Sequence, residues 1–316
     1  MAATVGVSPR ILERGTLPAH QGLRFVSWDG PHDAEILWRR EGDPTAELLA
    51  AAARGTAVRW VHLDTVGVDR LPLAAWRERS IRVSNGRGLS TVQVAEWATA
   101  AMLLAVRRLH ETVRLSDLRR WEPPTEPTGT VHGRRVVILG MGAIGARVAY
   151  LAGVLGATVT GIISSNPAPH DPRHGLVDAL LPAERFREAC RDAELLVLCA
   201  PLTETTRSIV SAEVISELMG SAWIVNAARG GLVDEAALAE AVRSGRLGGA
   251  VLDVTSPEPP RADSPLWGQP NIILSSHVAD RPRAPNEESG RLFLAEFERY
   301  LRRERMHNEV DLTRGY

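Results

Sequence analysis

Short apolar runs alternate with helical segments along most of the chain. In the first third, the runs 24–28, 34–38, 58–63 and 81–83 are predicted to be β-strands, and the alanine-rich segment 45–54 is predicted to be a helix. Strands that alternate with helices favour a parallel sheet with helices on both faces.

A second series of strands and helices follows the proline-rich stretch 121–129, which indicates a domain boundary or a loop. A series of strands with intervening helices is typical of a doubly wound nucleotide-binding sheet. The predicted strands of this series are 135–139, 158–163, 195–199, 222–226, 250–253 and 272–275.

Two long helices are predicted outside these series. The first runs from about residue 92 to 118 and is apolar nearly all round from 94 to 106, which is typical of a helix buried between domains or against another subunit. The second, 287–305, is amphipathic.

A glycine-rich motif follows the apolar strand that begins the second series. Gly140 permits a tight turn, Gly142 allows the backbone to approach a pyrophosphate, and Gly145 lets the next helix pack closely on the strand. The N–H groups and positive dipole end of that helix would face the anion. We therefore predict dinucleotide binding by Gly140, Met141, Gly142, Ala143, Ile144 and Gly145.

The residues after the next predicted strand bear on the choice of dinucleotide. An acidic residue that grips the adenosine ribose is typical at this place in NAD-binding sheets. Here Ser164 and Ser165 occupy it, their hydroxyls can donate to a 2′-phosphate, and Arg173 lies in the following loop. These residues favour NADPH over NADH; the alternative is a merely polar loop that accepts both.

Composition excludes several classes of protein. The 37 basic residues are all arginine because the chain has no lysine, and the formal net charge is -1. The missing lysine excludes Schiff-base chemistry and a Walker-type phosphate site, and the balanced charge argues against nucleic acid or a membrane surface as partner. Cys190 and Cys199 cannot make a disulfide framework or a metal site. Without a secretory signal or a membrane-spanning run, we expect a soluble, cytoplasmic protein with no metal.

Three chemically useful side chains follow predicted strands of the second series. Arg229 lies in the run 226–234, Glu258 comes shortly after Asp253, and His277 follows two serines. Ligands of doubly wound folds bind outside the carboxyl ends of the strands, so we expect these side chains to converge. A guanidinium can bind a carboxylate, and an imidazole backed by a carboxylate can deliver a proton near neutral pH.

Together these motifs resemble those of the D-2-hydroxyacid dehydrogenases, glyoxylate/hydroxypyruvate reductases among them. The matching stretches, in the family's order, are 66–69, 85–96, 139–145, 201–206, 226–234, 253–259 and His277. The resemblance implies two doubly wound α/β domains, a Rossmann nucleotide-binding domain (101–284) inserted into a flavodoxin-like substrate domain (1–100 plus 285–316). It also implies NAD(P)-dependent hydride transfer with a small 2-keto or 2-hydroxy acid, in a homodimer formed through the apolar helix.

The same resemblance implies roles for single residues. Arg229 would bind the substrate carboxylate and carbonyl, His277 would donate the proton, and Glu258 would orient and charge His277. Asp253 would contact the nicotinamide carboxamide. Further cofactor contacts would come from Ser164, Ser165, Pro201, Thr206 and Ala227. The predicted substrate contacts are Val66, Gly67, Arg87 and Trp38.

Some residues depart from the family pattern. Asp280 and Arg281 follow His277 where the family usually has a small residue, and with Arg87 they favour a polar or anionic substrate. A second function stays open, a dinucleotide-sensing, corepressor-like interaction protein on the same fold, because such proteins keep the same arginine, glutamate and histidine. Short segments beyond the predicted domains weigh against this alternative.

Overall fold

The computed structural model describes residues 2–14, 17–40, 42–280 and 287–316. The chain divides into two compact units, which we call the first unit (Met1–Ser90 and Pro282–Tyr316) and the second unit (Thr91–Arg281). The division at Ser90 precedes the predicted boundary at 100, because the helix that starts at Thr91 packs within the second unit. Arg281, a predicted specificity residue, lies outside the described residues.

Strands and helices alternate through both units. The strands are β1 (Ala3–Val7), β2 (Leu23–Ser27), β3 (Ile36–Arg39), β4 (Trp60–Leu63), β5 (Arg82–Ser84), β6 (Arg135–Leu139), β7 (Thr158–Ile163), β8 (Ala179–Pro182), β9 (Leu195–Leu198), β10 (Trp223–Asn226), β11 (Gly249–Leu252) and β12 (Ile272–Leu274). The α-helices are α1 (Pro9–Arg14), α2 (Thr45–Arg54), α3 (Leu73–Glu78), α4 (Thr91–Val106), α5 (Leu109–Asp117), α6 (Ala143–Val154), α7 (Phe186–Cys190), α8 (Ala212–Glu217), α9 (Glu235–Arg243) and α10 (Glu287–Leu301).

The first unit is built on a parallel sheet with the strand order β2-β1-β3-β4-β5. This is the order of flavodoxin-like sheets. Strand β1 was not predicted, yet it is buried along its whole length and pairs with both β2 and β3.

The second unit is built on a parallel sheet with the order β12-β11-β10-β9-β6-β7-β8. Counted from β6, this is the 3-2-1-4-5-6 order of dinucleotide-binding folds with one more strand at the β12 edge. The short strand β8 was missed in the sequence. The predicted fold class, one doubly wound domain inserted into another, is confirmed.

The core of the second unit lies on both faces of its sheet. Val136 and Ile138 belong to one apolar cluster, whereas Val137 and Leu139 belong to the other. Successive side chains of a strand point to opposite faces, so β6 is apolar throughout because helices cover both faces.

The single long helix predicted from about 92 to 118 is two helices. Helix α4 ends at Val106, and α5 begins at Leu109. Between them Arg108 adopts the left-handed conformation, with φ 51°, which ends the i to i−4 ladder. No helix in the described ranges is long and apolar enough to cross a membrane.

Candidate functional site

The predicted site residues of the second unit follow the carboxyl ends of neighbouring strands. The glycine loop follows β6 and the Pro201 segment follows β9. Arg229, Glu258 and His277 follow β10, β11 and β12, which are adjacent in the sheet. The sheet therefore delivers all these loops to one edge, where ligands of doubly wound folds bind.

Close backbone packing fixes the glycine loop. Gly140 has φ 95°, and a Cβ built on it would lie 2.6 Å from the Ala200 nitrogen. A Cβ on Gly145 would lie 1.9 Å from the Gly140 carbonyl oxygen. Both positions therefore require glycine for the fold itself.

Gly142 is different because a Cβ there would meet no described atom within 4 Å. It is the N-cap of α6 and brings no side chain to the first N–H groups of that helix. Backbone donors at a helix start beside open space form a ready anion site. The loop therefore fits the pyrophosphate of a dinucleotide.

The end of β7 carries the residues that bear on cofactor choice. Ser164 and Ser165 are exposed and directly follow the strand. Arg173, in a 3₁₀ turn farther along, pairs with Asp171, donating from Nε at 2.8 Å. This pairing holds the pKa of the Asp171 carboxyl at about 2, below its usual range.

The segment after β9 is tied into a compact turn. The Thr206 hydroxyl donates to the Pro201 carbonyl oxygen at 2.7 Å and accepts from the Thr203 N–H at 2.8 Å. Pro201 itself is exposed. The turn gives this predicted cofactor contact a fixed backbone.

Asn226 shapes the loop that carries Arg229. Its buried amide donates to the Arg229 carbonyl oxygen at 2.9 Å and accepts from the Ala228 N–H at 3.0 Å. Ala227, which is half-buried, lies within the turn that these two hydrogen bonds close. The Arg229 side chain is also half-buried, and its Nη1 donates to the Ala228 carbonyl oxygen at 2.7 Å.

The Arg229 loop and the Glu258 loop touch through their backbones. A Cβ on Gly230 would lie 2.0 Å from the Thr255 carbonyl carbon and 2.6 Å from the Ser256 nitrogen. Only a residue without a side chain allows this approach. The positions of Arg229 and Glu258 are therefore coupled.

His277 and Glu258 form a hydrogen-bonded pair. The His277 Nδ1 lies 3.2 Å from Glu258 Oε2. This contact raises the pKa of His277 above its ordinary value, against the effect of partial burial; the Arg229 charge opposes the rise and the Asp280 charge supports it. The arrangement favours an imidazolium near neutral pH.

Asp253 holds the segment around His277. Its buried carboxylate accepts from the Ser275 hydroxyl at 2.5 Å and from the Val278 and Ala279 N–H groups at 2.9 Å each. Its carbonyl oxygen accepts from the His277 N–H at 2.8 Å. His277 itself has φ 55°, a left-handed backbone that is uncommon outside glycine and is held here by these bonds.

The predicted substrate contacts lie in the first unit. Val66 is exposed, Gly67 is half-buried, and the Val66 carbonyl oxygen accepts from the Asn85 amide at 2.8 Å. Exposed Arg87 donates from Nη2 to the His307 carbonyl oxygen at 2.7 Å. The turn that bears Val66 is thus anchored by Asn85, and Val66 itself is exposed.

Trp38 is in the core of the first unit. Its side chain is 0% exposed, its ring stacks on Phe293 at 4.1 Å, and its Nε1 donates to Asp64 at 2.8 Å. A fully enclosed ring presents no surface to a ligand. The structure therefore places Trp38 in the core rather than in the predicted substrate pocket.

Two residues of the site had no assigned role in the sequence. Asn226 could have been noticed as an amide at the end of a buried strand. Glu235 begins α9 after the N-cap Asp234, and an acid there looks like ordinary helix capping. Its Oε1 in fact accepts from the Ser256 N–H at 2.7 Å, on the Glu258 loop. Among the described residues, no group of three or more histidine, cysteine or acidic side chains could hold a metal.

Comparison with known proteins gives a consistent result. Residues 99–279 match the family "D-isomer specific 2-hydroxyacid dehydrogenase, NAD binding domain". The chain is 30% identical over 283 residues to D-3-phosphoglycerate dehydrogenase of Methanocaldococcus jannaschii, covering 89% of this chain but only 52% of that protein. It is 32% identical over 265 residues to glyoxylate/hydroxypyruvate reductase A of Arabidopsis thaliana, covering 81% of each.

A solved structure is similar over the full length. The D-isomer specific 2-hydroxyacid dehydrogenase of Xanthobacter autotrophicus Py2, crystallised with NADPH and MES, has a TM-score of 0.82 and 27% identity. The match covers 100% of this chain and 99% of that chain.

Proposed function

The chain belongs to the D-isomer specific 2-hydroxyacid dehydrogenase family, and on that premise we propose that it reduces a small 2-keto acid to the D-2-hydroxy acid with NADPH. The observation that carries this proposal is the placement of Arg229, Glu258 and His277 after three adjacent strands, with His277 bonded to Glu258. Bound NADPH supplies the hydride. The protein must supply a cation for the carboxylate and a proton for the carbonyl oxygen, and these side chains can supply both.

His277 is the proposed proton donor. Its Nδ1 is engaged by Glu258, so Nε2 is the nitrogen that we propose donates to the substrate. During reduction the Nε2–H bond breaks and an O–H bond forms on the substrate oxygen, leaving a neutral imidazole. The raised pKa of His277, caused first by the Glu258 hydrogen bond, keeps the proton available near neutral pH.

Arg229 is the proposed carboxylate clamp. One of its five N–H donors bonds its own loop, at the Ala228 carbonyl oxygen, and this bond orients the guanidinium. The positive charge of Arg229 lowers the pKa of His277, which indicates an electrostatic interaction between the two side chains. A planar guanidinium can take a carboxylate through two parallel hydrogen bonds.

Asp253 is proposed to act mainly on the His277 segment. Its carboxylate accepts three hydrogen bonds from residues 275–279. A nicotinamide carboxamide would have to share oxygens already occupied by these donors. We therefore propose that the main role of Asp253 is to position His277, and that contact with the nicotinamide carboxamide is a lesser role.

The preference for NADPH is supported by the end of β7. The exposed hydroxyls of Ser164 and Ser165 stand where an acidic residue would repel a 2′-phosphate. Asp171, the acidic residue that next follows in the chain, is paired with Arg173, which offsets its charge. The similar Xanthobacter enzyme was crystallised with NADPH.

A compact, polar keto acid is the proposed substrate class. Glyoxylate and hydroxypyruvate, named for the Arabidopsis relative, are the first candidates. The backbone at Val66 and Gly67 is proposed to bind the substrate carboxylate, as the family resemblance implies. Arg87 is proposed to favour polar or anionic substrates, although its guanidinium is partly engaged by His307.

A homodimer is proposed for the assembled enzyme. Apart from Trp267, the large apolar side chains of the second unit that are exposed lie on α4, α5, α6 and the segment after α5. They are Val92, Leu109, Val113, Leu118, Trp121, Tyr150 and Val154. An exposed apolar surface of this kind is typical of an interface. Sedimentation equilibrium should return about twice the 34.3 kDa chain mass; a monomer at micromolar concentration would contradict the proposal.

The experiment that tests the function is a panel of keto acids with both cofactors. We expect loss of reduced-nicotinamide absorbance with glyoxylate or hydroxypyruvate, and a higher kcat/KM with NADPH than with NADH. A clear NADH preference would overturn the cofactor proposal alone. Tight cofactor binding without turnover of any keto acid would favour the alternative of a dinucleotide-sensing interaction protein.

A further inference from the structure

Glu235 links helix α9 to the loop that carries Glu258. It is the first residue of α9 and is half-buried. Its Oε1 accepts from the Ser256 N–H at 2.7 Å, two residues before Glu258. The contact spans 21 residues of sequence, so it joins the start of α9 to the Glu258 loop rather than closing a local turn.

We infer that Glu235 is a positioning residue for the Glu258–His277 pair: its carboxylate fixes the Glu258 loop, and its charge acts on the pair. This inference rests on the proposed reductase function. Glu235 is not a catalytic residue in this account, because its carboxylate is bonded to the loop backbone and acts through Glu258.

The other bonds of the Glu258 loop explain why this one matters. The Thr255 hydroxyl donates to the Pro257 carbonyl oxygen at 2.9 Å, a bond inside the loop. Gly230 packs against the backbone of the Glu258 loop. This packing prevents the loop from moving closer to Gly230 but does not prevent it from moving away. The bond from the Ser256 N–H to Glu235 is directional, so it opposes withdrawal of the loop from α9.

The electrostatic surroundings of Glu235 also connect it to Glu258. The pKa of Glu235 is raised to about 7, first by burial and further by the Glu258 carboxylate, while the Ser256 N–H opposes the rise. On the same helix start, Asp234 caps the Ala237 N–H. Glu235 thus changes charge near neutral pH beside Glu258, within the same network as His277.

His277 in turn faces three charged groups: Glu258 and Asp280, which raise its pKa, and Arg229, which lowers it. Glu235 is not one of these groups, and its proposed link to His277 runs through the Glu258 carboxylate, whose charge helps to raise the pKa of Glu235. Removing the Glu235 charge is expected to lower the pKa of His277, even though Glu235 does not touch it.

Three variants of the full chain separate the two parts of the inference. Glu235→Gln keeps an oxygen that can accept from Ser256 but removes the charge. Glu235→Ala removes both. Glu240→Gln is the matched control, because Glu240 is on the same helix, exposed, and paired with Arg243 rather than with the loop.

The readouts are kcat and KM for the keto acid across pH, and the His277 ring titration followed by NMR, assigned with His277→Asn. We expect Glu235→Ala to lower kcat by about ten-fold with little change in KM, because a slightly displaced acid–base pair loses rate more than binding. Glu235→Gln should restore most of kcat, with the His277 titration moved to lower pH. Glu240→Gln should match the wild type.

Two results would overturn the inference: wild-type kcat and pH profile in Glu235→Ala, or an unchanged His277 titration in Glu235→Gln. The NMR comparison needs no turnover, so it decides the coupling by itself. A wild-type protein that turns over no keto acid would instead overturn the reductase function, whatever the titration shows.

Discussion

Replacing Gly230 with alanine is expected to force apart the two loops that carry Arg229 and Glu258. The new Cβ would lie 2.0 Å from the Thr255 carbonyl carbon, 2.2 Å from its oxygen and 2.6 Å from the Ser256 nitrogen. Non-bonded carbons rest about 3.5–4.0 Å apart, so the loops must separate by roughly 1.5 Å. All the atoms met are backbone, so no side-chain rotation can relieve the overlap.

A displacement of this size is expected to be costly for the reaction. A misplacement of about 1 Å can lower the rate by about 100-fold, and overpacking costs about 1–3 kcal/mol of folding free energy. We therefore expect Gly230→Ala to lower kcat by about 100-fold and to lower the melting temperature. Cofactor affinity, measured by nucleotide fluorescence, should fall far less than kcat because the glycine loop proposed to bind the pyrophosphate follows a different strand.

Gly231→Ala is the matched control. Its Cβ would lie 3.0 Å and 3.2 Å from two methyl carbons of Leu202, a side chain that can rotate away. This variant should keep most of kcat. Wild-type kcat in Gly230→Ala, or an equal loss in both variants, would refute the reasoning that the two loops depend on close backbone contact.

Three further variants test separate parts of the account. Glu258→Gln removes the carboxylate that raises the pKa of His277, so the alkaline limb of the kcat/KM profile for reduction should move to lower pH; an unmoved limb would contradict the pairing. The pKa of Glu235 is raised from 4.5 to about 7, so its ionisation costs folding free energy increasingly as pH rises through this window. A shift of one pKa unit corresponds to about 1.4 kcal/mol, so the loss of folding free energy is at most about 3 kcal/mol. Because Glu235 is partly exposed, solvent screening reduces the expected loss to about 1 kcal/mol. Glu235→Gln should thus be stabilised over the wild type by about 1 kcal/mol more at pH 8 than at pH 4.5 in thermal unfolding, and an equal difference at both would contradict it. Gly142→Ala should weaken NADPH binding by about ten-fold or more without lowering the melting temperature, since its Cβ meets only open space; unchanged affinity would argue against a pyrophosphate there.

The family, the two parallel sheets and the NAD(P)-dependent dehydrogenase class could be predicted because they depend on local patterns. A buried strand, a glycine loop and a helix start are contiguous, so Gly140, Gly142 and Gly145 identify the cofactor loop from sequence. Strand β8 was missed because its apolar run, Ala179–Pro182, is only four residues long and ends in proline. The break at Arg108 was missed because its left-handed backbone cannot be predicted from sequence when the residue is an arginine rather than a glycine or an asparagine.

The candidate site was only partly predictable for a different reason. Arg229, Glu258 and His277 follow strands, and strand order brings them to one edge. Contacts between separate segments carry no sequence pattern, so nothing in the sequence singles out Glu235. Trp38 was wrongly placed in a substrate pocket, because sequence alone does not distinguish a tryptophan that lines a pocket from one that is buried in the core.

The most direct test of the central claim compares the wild type with Arg229→Ala in NADPH oxidation with glyoxylate or hydroxypyruvate. The account predicts turnover by the wild type, turnover reduced to background in Arg229→Ala, and similar NADPH dissociation constants for both, because Arg229 and the glycine loop follow different strands. Retained turnover in Arg229→Ala, or no turnover by the wild type with any keto acid, would contradict it.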